Sequence, residues 1–269
     1  TAFIDEIHPS LNFVVVVTAF SACLLTLLVV LFAFSTPQSR KRPVFRLNVI
    51  AILMATVLSV LNGVTSGGSI LDPFHAIPES VYVATIFFAT FPPLFYDSIL
   101  LTRLLALYPI GITPSLQLLK VFAFPMCIKC GRLVALSLYL RQFVRSTYSL
   151  QSLVQHAEAT WFRNPYITAE WTMQILDNMF KLCKCLFASK MLPAFQGIPH
   201  RHHIAANTVT ERIRQIFFIA AANFVFPLIL NIAQLICITT SRSYAVGTMF
   251  LLSNGYVSVI GVLCATIWA

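Results

Sequence analysis

Asp177 and Lys181 stand four residues apart in a largely apolar stretch that also carries Glu170 and Lys184, and they are the sharpest chemical pairing in the chain. On a helix that spacing puts carboxylate and ammonium on one face, so the two can neutralise each other locally. Lys129 and Arg132 lie in an earlier apolar run, and Asp97 with Arg103 in the one before that. A charge at bilayer depth is costly unless it is paired, so each is a candidate for a functional contact. Asp97 and Arg103 would sit about 9 Å apart along a helix axis and on different faces, so they are not expected to pair. For Asp97 two readings stand open. It is a core carboxylate held by Asn48, by Asn62 or by a basic residue of the Lys129 run, or it is a ligand or switch contact. Lys129, Arg132 and Asp177 likewise either neutralise one another between neighbouring helices or line a polar binding cavity.

Other groups carry weaker chemistry. His200, His202 and His203, with Glu211 nearby, combine metal-binding residue types at a spacing that matches no common site, and read as a polar loop. Cys127 with Cys130, and Cys183 with Cys185, lack His or acidic partners and are interleaved or flanked by lysines. Together with Cys23, Cys237 and Cys264 they read as small hydrophobes. There is no glycine-rich phosphate loop, no G-x-S-x-G and no H-E-x-x-H. The chain is therefore not expected to be an enzyme or to carry a cofactor or metal.

The elements that would position these groups are long apolar runs. The 269 residues are 58% hydrophobic and 10% charged, with a mean hydropathy of +0.83. A soluble domain would carry roughly 25% charged residues. The reading is an all-α, polytopic membrane protein made of one seven-helix domain, with spans at about 11–35, 43–64, 79–108, 115–140, 169–192, 213–238 and 246–268. Unbroken apolar runs fit helices rather than the short alternating strands of a barrel. The fifth span is the most polar, with Glu170, Asp177, Lys181 and Lys184, and 141–165 reads as an ordered external loop. In the sixth, Pro227 cannot donate to the carbonyl of Asn223, which predicts a kink with Asn223, Asn231 and Gln234 around it. The chain opens on Thr1, which reads as a span excised from a longer protein with its C-terminal tail absent.

Lys and Arg mark the inner side of a membrane protein. The net charge of +9 resides mostly in residues flanking apolar runs, which favours topology and headgroup contact over nucleic acid. Arg40, Lys41, Arg42 and Arg46 cluster at the first joint, and Arg201, Arg212 and Arg214 at the fifth. These joints share a side when there are seven spans, which puts the N terminus outside. Arg141, Arg145 and Arg163 oppose that assignment.

Three segments resemble the fungal peptide-pheromone receptors of the alpha-factor type. The first is STPQSRKRPVFRLN, where Arg40, Lys41, Pro43, Phe45 and Asn48 match a basic cluster leading into the second helix. The second is NFVFPLIL, similar to a Q-x-x-x-P helix, with Asn223 for Gln and Pro227 matching. The third is IGVLCATIWA, where Trp268 and Ala269 match and the family's proline is missing near Gly261. The third span ends RLLALYP instead of D-R-Y, and the last has no N-P-x-x-Y, so the rhodopsin-type marks are absent.

The resemblance implies a plasma-membrane G-protein-coupled receptor that senses an extracellular ligand. Its partners would be the bilayer, a heterotrimeric G protein, that ligand and a second copy of the chain. It implies G-protein contacts at Arg40, Lys41, Arg212 and Arg214, and a switch at Asn223 and Pro227; Arg103, near the inner end of the third span, is a further contact candidate. The other ligand or switch candidates are Asp97, Lys129, Arg132, Asp177, Lys181 and Asn231. The alternative is a transporter or channel that uses the buried charges of the fourth and fifth spans.

Overall fold

The structure, a computed structural model, describes residues 2–71, 78–106, 115–147, 161–162, 164–195, 225–240 and 244–268. Its elements are α1 (Ala2–Ala33), α2 (Pro37–Lys41), α3 (Pro43–Leu71), α4 (Glu79–Thr90), α5 (Pro92–Ala106), α6 (Ser115–Thr147) and α7 (Pro165–Phe195). They are followed by α8 (Val225–Thr240) and α9 (Tyr244–Trp268). No strand occurs among the described residues.

Apolar faces run around these helices. Val15, Val29, Val60, Leu119 and Val134 are more than half exposed, which in water would be an aggregation hazard and in lipid is the matching surface. Hydroxyls that would be costly in hydrocarbon bond back to the carbonyl one turn earlier, as Thr18 does to Val14 and Thr56 to Ile52. Stretches of α1 (Ser10–Ala33), α3 (Pro43–Gly68), α6 (Val121–Arg145) and α9 (Val246–Cys264) are long and apolar enough to cross a bilayer, and α8 is apolar but shorter. The chain is thus a helical protein embedded in a membrane.

Several boundaries differ from those expected: α1 begins at Ala2 and not near residue 11, and α3 runs on to Leu71 through the first part of the expected turn-rich link. The third span is two helices. Pro92 and Pro93 bring no N–H to the ladder, so α4 closes with Phe91 N–H on Phe87 O (3.0 Å) and α5 opens with Leu94 N–H on Phe91 O (3.1 Å). α6 continues through Arg141 and Arg145 to Thr147, so the start of the expected loop is helical. Pro125 lies inside α6 without dividing it. The fifth span begins at Pro165, because Asn164 Oδ1 accepts the N–H groups of Tyr166 (3.0 Å) and Ile167 (3.4 Å) and caps the helix.

Two large apolar clusters hold the bundle, with a small one of Leu101 and Val121 between α5 and α6. One joins α1, α3, α5 and α9 through Leu24, Ile52, Ile99, Tyr256 and Leu263. Phe20 stacks on Tyr256 at 5.1 Å, and Ser59 Oγ lies 2.5 Å from the Tyr256 hydroxyl. The other joins α4, α6, α7, α8 and α9 through Leu136, Phe143, Ile167, Trp171 and Ile238. Asn48 donates to Thr266 Oγ1 of α9 at 2.6 Å, so it ties α3 to α9 and is not a partner of Asp97.

Candidate functional site

α7 carries a polar stripe at helical spacing. Glu170, Gln174, Asp177 and Lys181 follow one another every three or four residues, Asn178 stands beside Asp177, and all five are buried. α6 brings Lys129 and Arg132, three apart, to the same interior. α5, restarted at Pro92, places Asp97 between them. Because α6 packs along α7 and α5 touches both, six ionisable side chains from three helices come together.

Arg132 is fully buried and is the hub. Its Nε and Nη2 donate to Glu170 Oε1 at 2.9 and 2.7 Å, and its Nη1 donates to Asp97 Oδ2. Lys181 Nζ donates to Asp177 Oδ2 at 2.6 Å and to the carbonyl oxygen of Asp97 at 3.4 Å, and lies 4.0 Å from Asp97 Oδ1. Lys129, half-buried, donates to Ser98 Oγ (3.2 Å) and Leu94 O (3.5 Å). Three cations and three carboxylates balance. Bringing charges out of water costs several kcal/mol per ion, and only pairing and hydrogen bonding of this density offset it.

The expected Asp177–Lys181 pair is present. The expected pairing of Arg132 with Asp177 is not: Arg132 reaches Asp97 and Glu170, and Asp177 is occupied by its own helix neighbour. Of the two groups of partners considered for Asp97, the basic residue of α6 is the one that holds it. Glu170 was noted as polar but not as a site residue. Its signal was the spacing of seven and eleven residues to Asp177 and Lys181, which places all three on one face.

The network is flanked by a second polar contact. Asn254 Nδ2 of α9 donates to Asn231 Oδ1 of α8, with both side chains buried. Pro227 is buried on α8 one turn before Asn231. A cavity of about 10 Å³ between the two contacts is lined by Thr90, Pro93, Glu170, Gln174, Trp171 and Asn254 among others. A second of the same size, on the other side of Pro93, is lined by Phe88, Tyr96, Gly255 and Tyr256. The α4–α5 break therefore has small voids on both faces.

At the first joint, Arg40 donates from Nε to Ser35 Oγ (2.8 Å) and from Nη2 to Phe32 O (3.0 Å), which closes the end of α1. Lys41 is exposed. Arg103 lies in α5, and its side chain is outside the described set. Arg201, Arg212, Arg214, Asn223 and the His200–His203 cluster lie outside the described residues. Among the described residues no group of three His, Cys, Asp or Glu has metal-site geometry. Comparison of the chain with protein-family models, with curated proteins and with solved structures finds no match.

Proposed function

We propose that this protein is a seven-span receptor of the plasma membrane, with its N terminus outside, which senses an extracellular ligand and activates a heterotrimeric G protein. The observation that carries the reading is the network of ion pairs among Asp97, Arg132, Glu170, Asp177 and Lys181, whose charge Lys129 beside it balances. It ties three helices together by directional bonds, so a shift of one helix must re-pair the others. Such discrete re-pairing suits a two-state switch better than a permeation path. The break at Phe91 supports the same reading, since it lets α5 pivot while α4 stays packed. Lys41, Arg103, Arg212 and Arg214 are the contacts proposed for the G protein, with Arg40 holding the joint in shape, and Pro227 with Asn223 and Asn231 the bend that transmits the shift.

The test is guanine-nucleotide exchange on a heterotrimeric G protein by the reconstituted chain, across a broad ligand screen. Ligand-dependent exchange that is lost in Arg132→Met supports the reading, and no exchange with any ligand counts against it. A second reading is favoured by the number of buried charges alone, namely a transporter or channel. Flux into proteoliposomes that vanishes in Asp177→Asn would establish it instead.

A further inference from the structure

The chain has no Asp or Glu between Glu6 and Asp72, so α2 and α3 carry no acid and the acids of α1 stand in its first turns, at the opposite end from the basic joint. The structure divides that joint into two kinds of cation. Arg40 is committed to the last carbonyl groups of α1, and its guanidinium lies 5.5 Å from the centre of the Phe32 ring. Phe32 in turn meets Phe45 of α3 edge-on at 5.4 Å. These contacts make the joint a built platform that locks the end of α1 to the start of α3. Arg42 and Arg46 take no part in it. Both are exposed, and neither meets a carboxylate among the described residues.

Their placement is unfavourable on local grounds. Arg46 lies in the opening of α3, where the helix dipole disfavours cations, Arg42 stands between the end of α2 and that opening, and like charges four residues apart repel. Arg42 also stands where a side-chain acceptor would cap the helix, and a guanidinium has none to offer. Two exposed arginines four residues apart, with no carboxylate beside them among the described residues, suit an anion from outside the chain. The platform sits at the shared end of α1 and α3, both long and apolar enough to cross a bilayer, and Phe34 beside it is 79% exposed. That is the depth of lipid headgroups, where aromatic rings and arginines anchor. A planar guanidinium presents paired N–H donors that match phosphate oxygens.

We infer that Arg42 and Arg46 form a binding site for the phosphate of an anionic phospholipid, at the leaflet where α1 ends and α3 begins. The inference rests on α1 and α3 crossing a bilayer and not on the receptor reading. It holds equally for a transporter.

The experiment is native mass spectrometry of the full chain, titrated with phosphatidylserine or phosphatidylcholine. Wild type should retain phosphatidylserine preferentially, and retention should fall as salt is raised. Each arginine near the lipid surface contributes a factor of about 5, so R42Q/R46Q should bind phosphatidylserine about 25-fold more weakly. Arg40→Gln should keep the lipid preference while lowering thermal stability. Equal retention of the two lipids by wild type, or salt-independent retention, overturns the site without any variant. Unchanged phosphatidylserine binding by R42Q/R46Q overturns it too, and if that variant also loses a protein partner, the pair is a protein contact. Displacement of the lipid by inorganic phosphate at equal concentration would show a free-anion site and overturn the lipid assignment.

Discussion

Arg132 sets both Nε and Nη2 against a single oxygen of Glu170, at 2.9 and 2.7 Å, and so binds α6 to α7 at a point where neither side chain meets solvent. The remaining Nη1 goes to Asp97 of α5. One guanidinium thereby fixes the mutual rotation of three helices, which apolar contacts alone would leave loosely specified.

Arg132→Met leaves Asp97 without its main counter-ion and Glu170 with none. Breaking a buried pair from one side costs about 3–5 kcal/mol, so the variant should unfold at markedly lower temperature in detergent. The triple variant Arg132→Met, Asp97→Leu, Glu170→Leu should regain most of that stability. A triple variant no more stable than the single one would mean that the charges act through something other than mutual pairing.

Glu170→Gln keeps an acceptor for Arg132 and removes the charge. Hydrogen bonds to charged groups contribute about 1.5–3 kcal/mol, so a loss near the lower end of that range is expected, smaller than that of Arg132→Met. A double-mutant cycle with Asp97→Asn should be non-additive by about 0.5–3 kcal/mol, because both carboxylates share one guanidinium.

Two glycines of α9 should respond in opposite ways to the same substitution. A Cβ at Gly247 would lie 2.7 Å from Trp161 Nε1, so Gly247→Ala must displace a buried ring and should cost about 1–3 kcal/mol. At Gly255 nothing lies within 4 Å, and Gly255→Ala should be neutral or stabilising by up to about 1 kcal/mol. Thermal melts of the two variants side by side check the packing of α9.

Asn254→Leu removes the donor to Asn231 between α8 and α9. Side-chain hydrogen bonds between membrane helices average about 0.6 kcal/mol and reach about 1.7, so the stability loss should be modest. If the Asn231–Asn254 contact takes part in the switch, the same variant should alter basal nucleotide exchange far more than its stability, and matching small changes in both would argue for a static contact.

The seven-span topology can be tested with single cysteines in a chain whose native cysteines are replaced. An impermeant maleimide applied to intact cells should label Ser80→Cys, and should label Gln38→Cys only after permeabilisation. The reverse pattern would invert the protein, and labelling of both from outside would remove a crossing between them.

Much of this architecture depends on local separation along the chain, and that much was legible without coordinates. Runs of apolar residues at bilayer length can satisfy their backbone only as helices, so the helical, membrane-embedded character follows from composition and run length. The Asp177–Lys181 pair follows too, since residues four apart share a face in any α-helix. The lack of any Asp or Glu between Glu6 and Asp72 is likewise plain in the sequence, while the exposure of Arg42 and Arg46 is a finding of the structure. What tertiary structure decided is which faces meet. A helix that is apolar nearly all round carries no clear stripe to orient it about its own axis, so neighbours, rotation and depth are set by packing. For that reason Arg132 was paired in expectation with Asp177 but meets Asp97 and Glu170, and Asn48 was offered to Asp97 but reaches Thr266. Glu170 gained its importance only when α7 turned toward α6. The division at Phe91 was half visible: Pro92 and Pro93 forbid ladder bonds at a known place, but whether the chain kinks or stops there is settled by the helices packed against it.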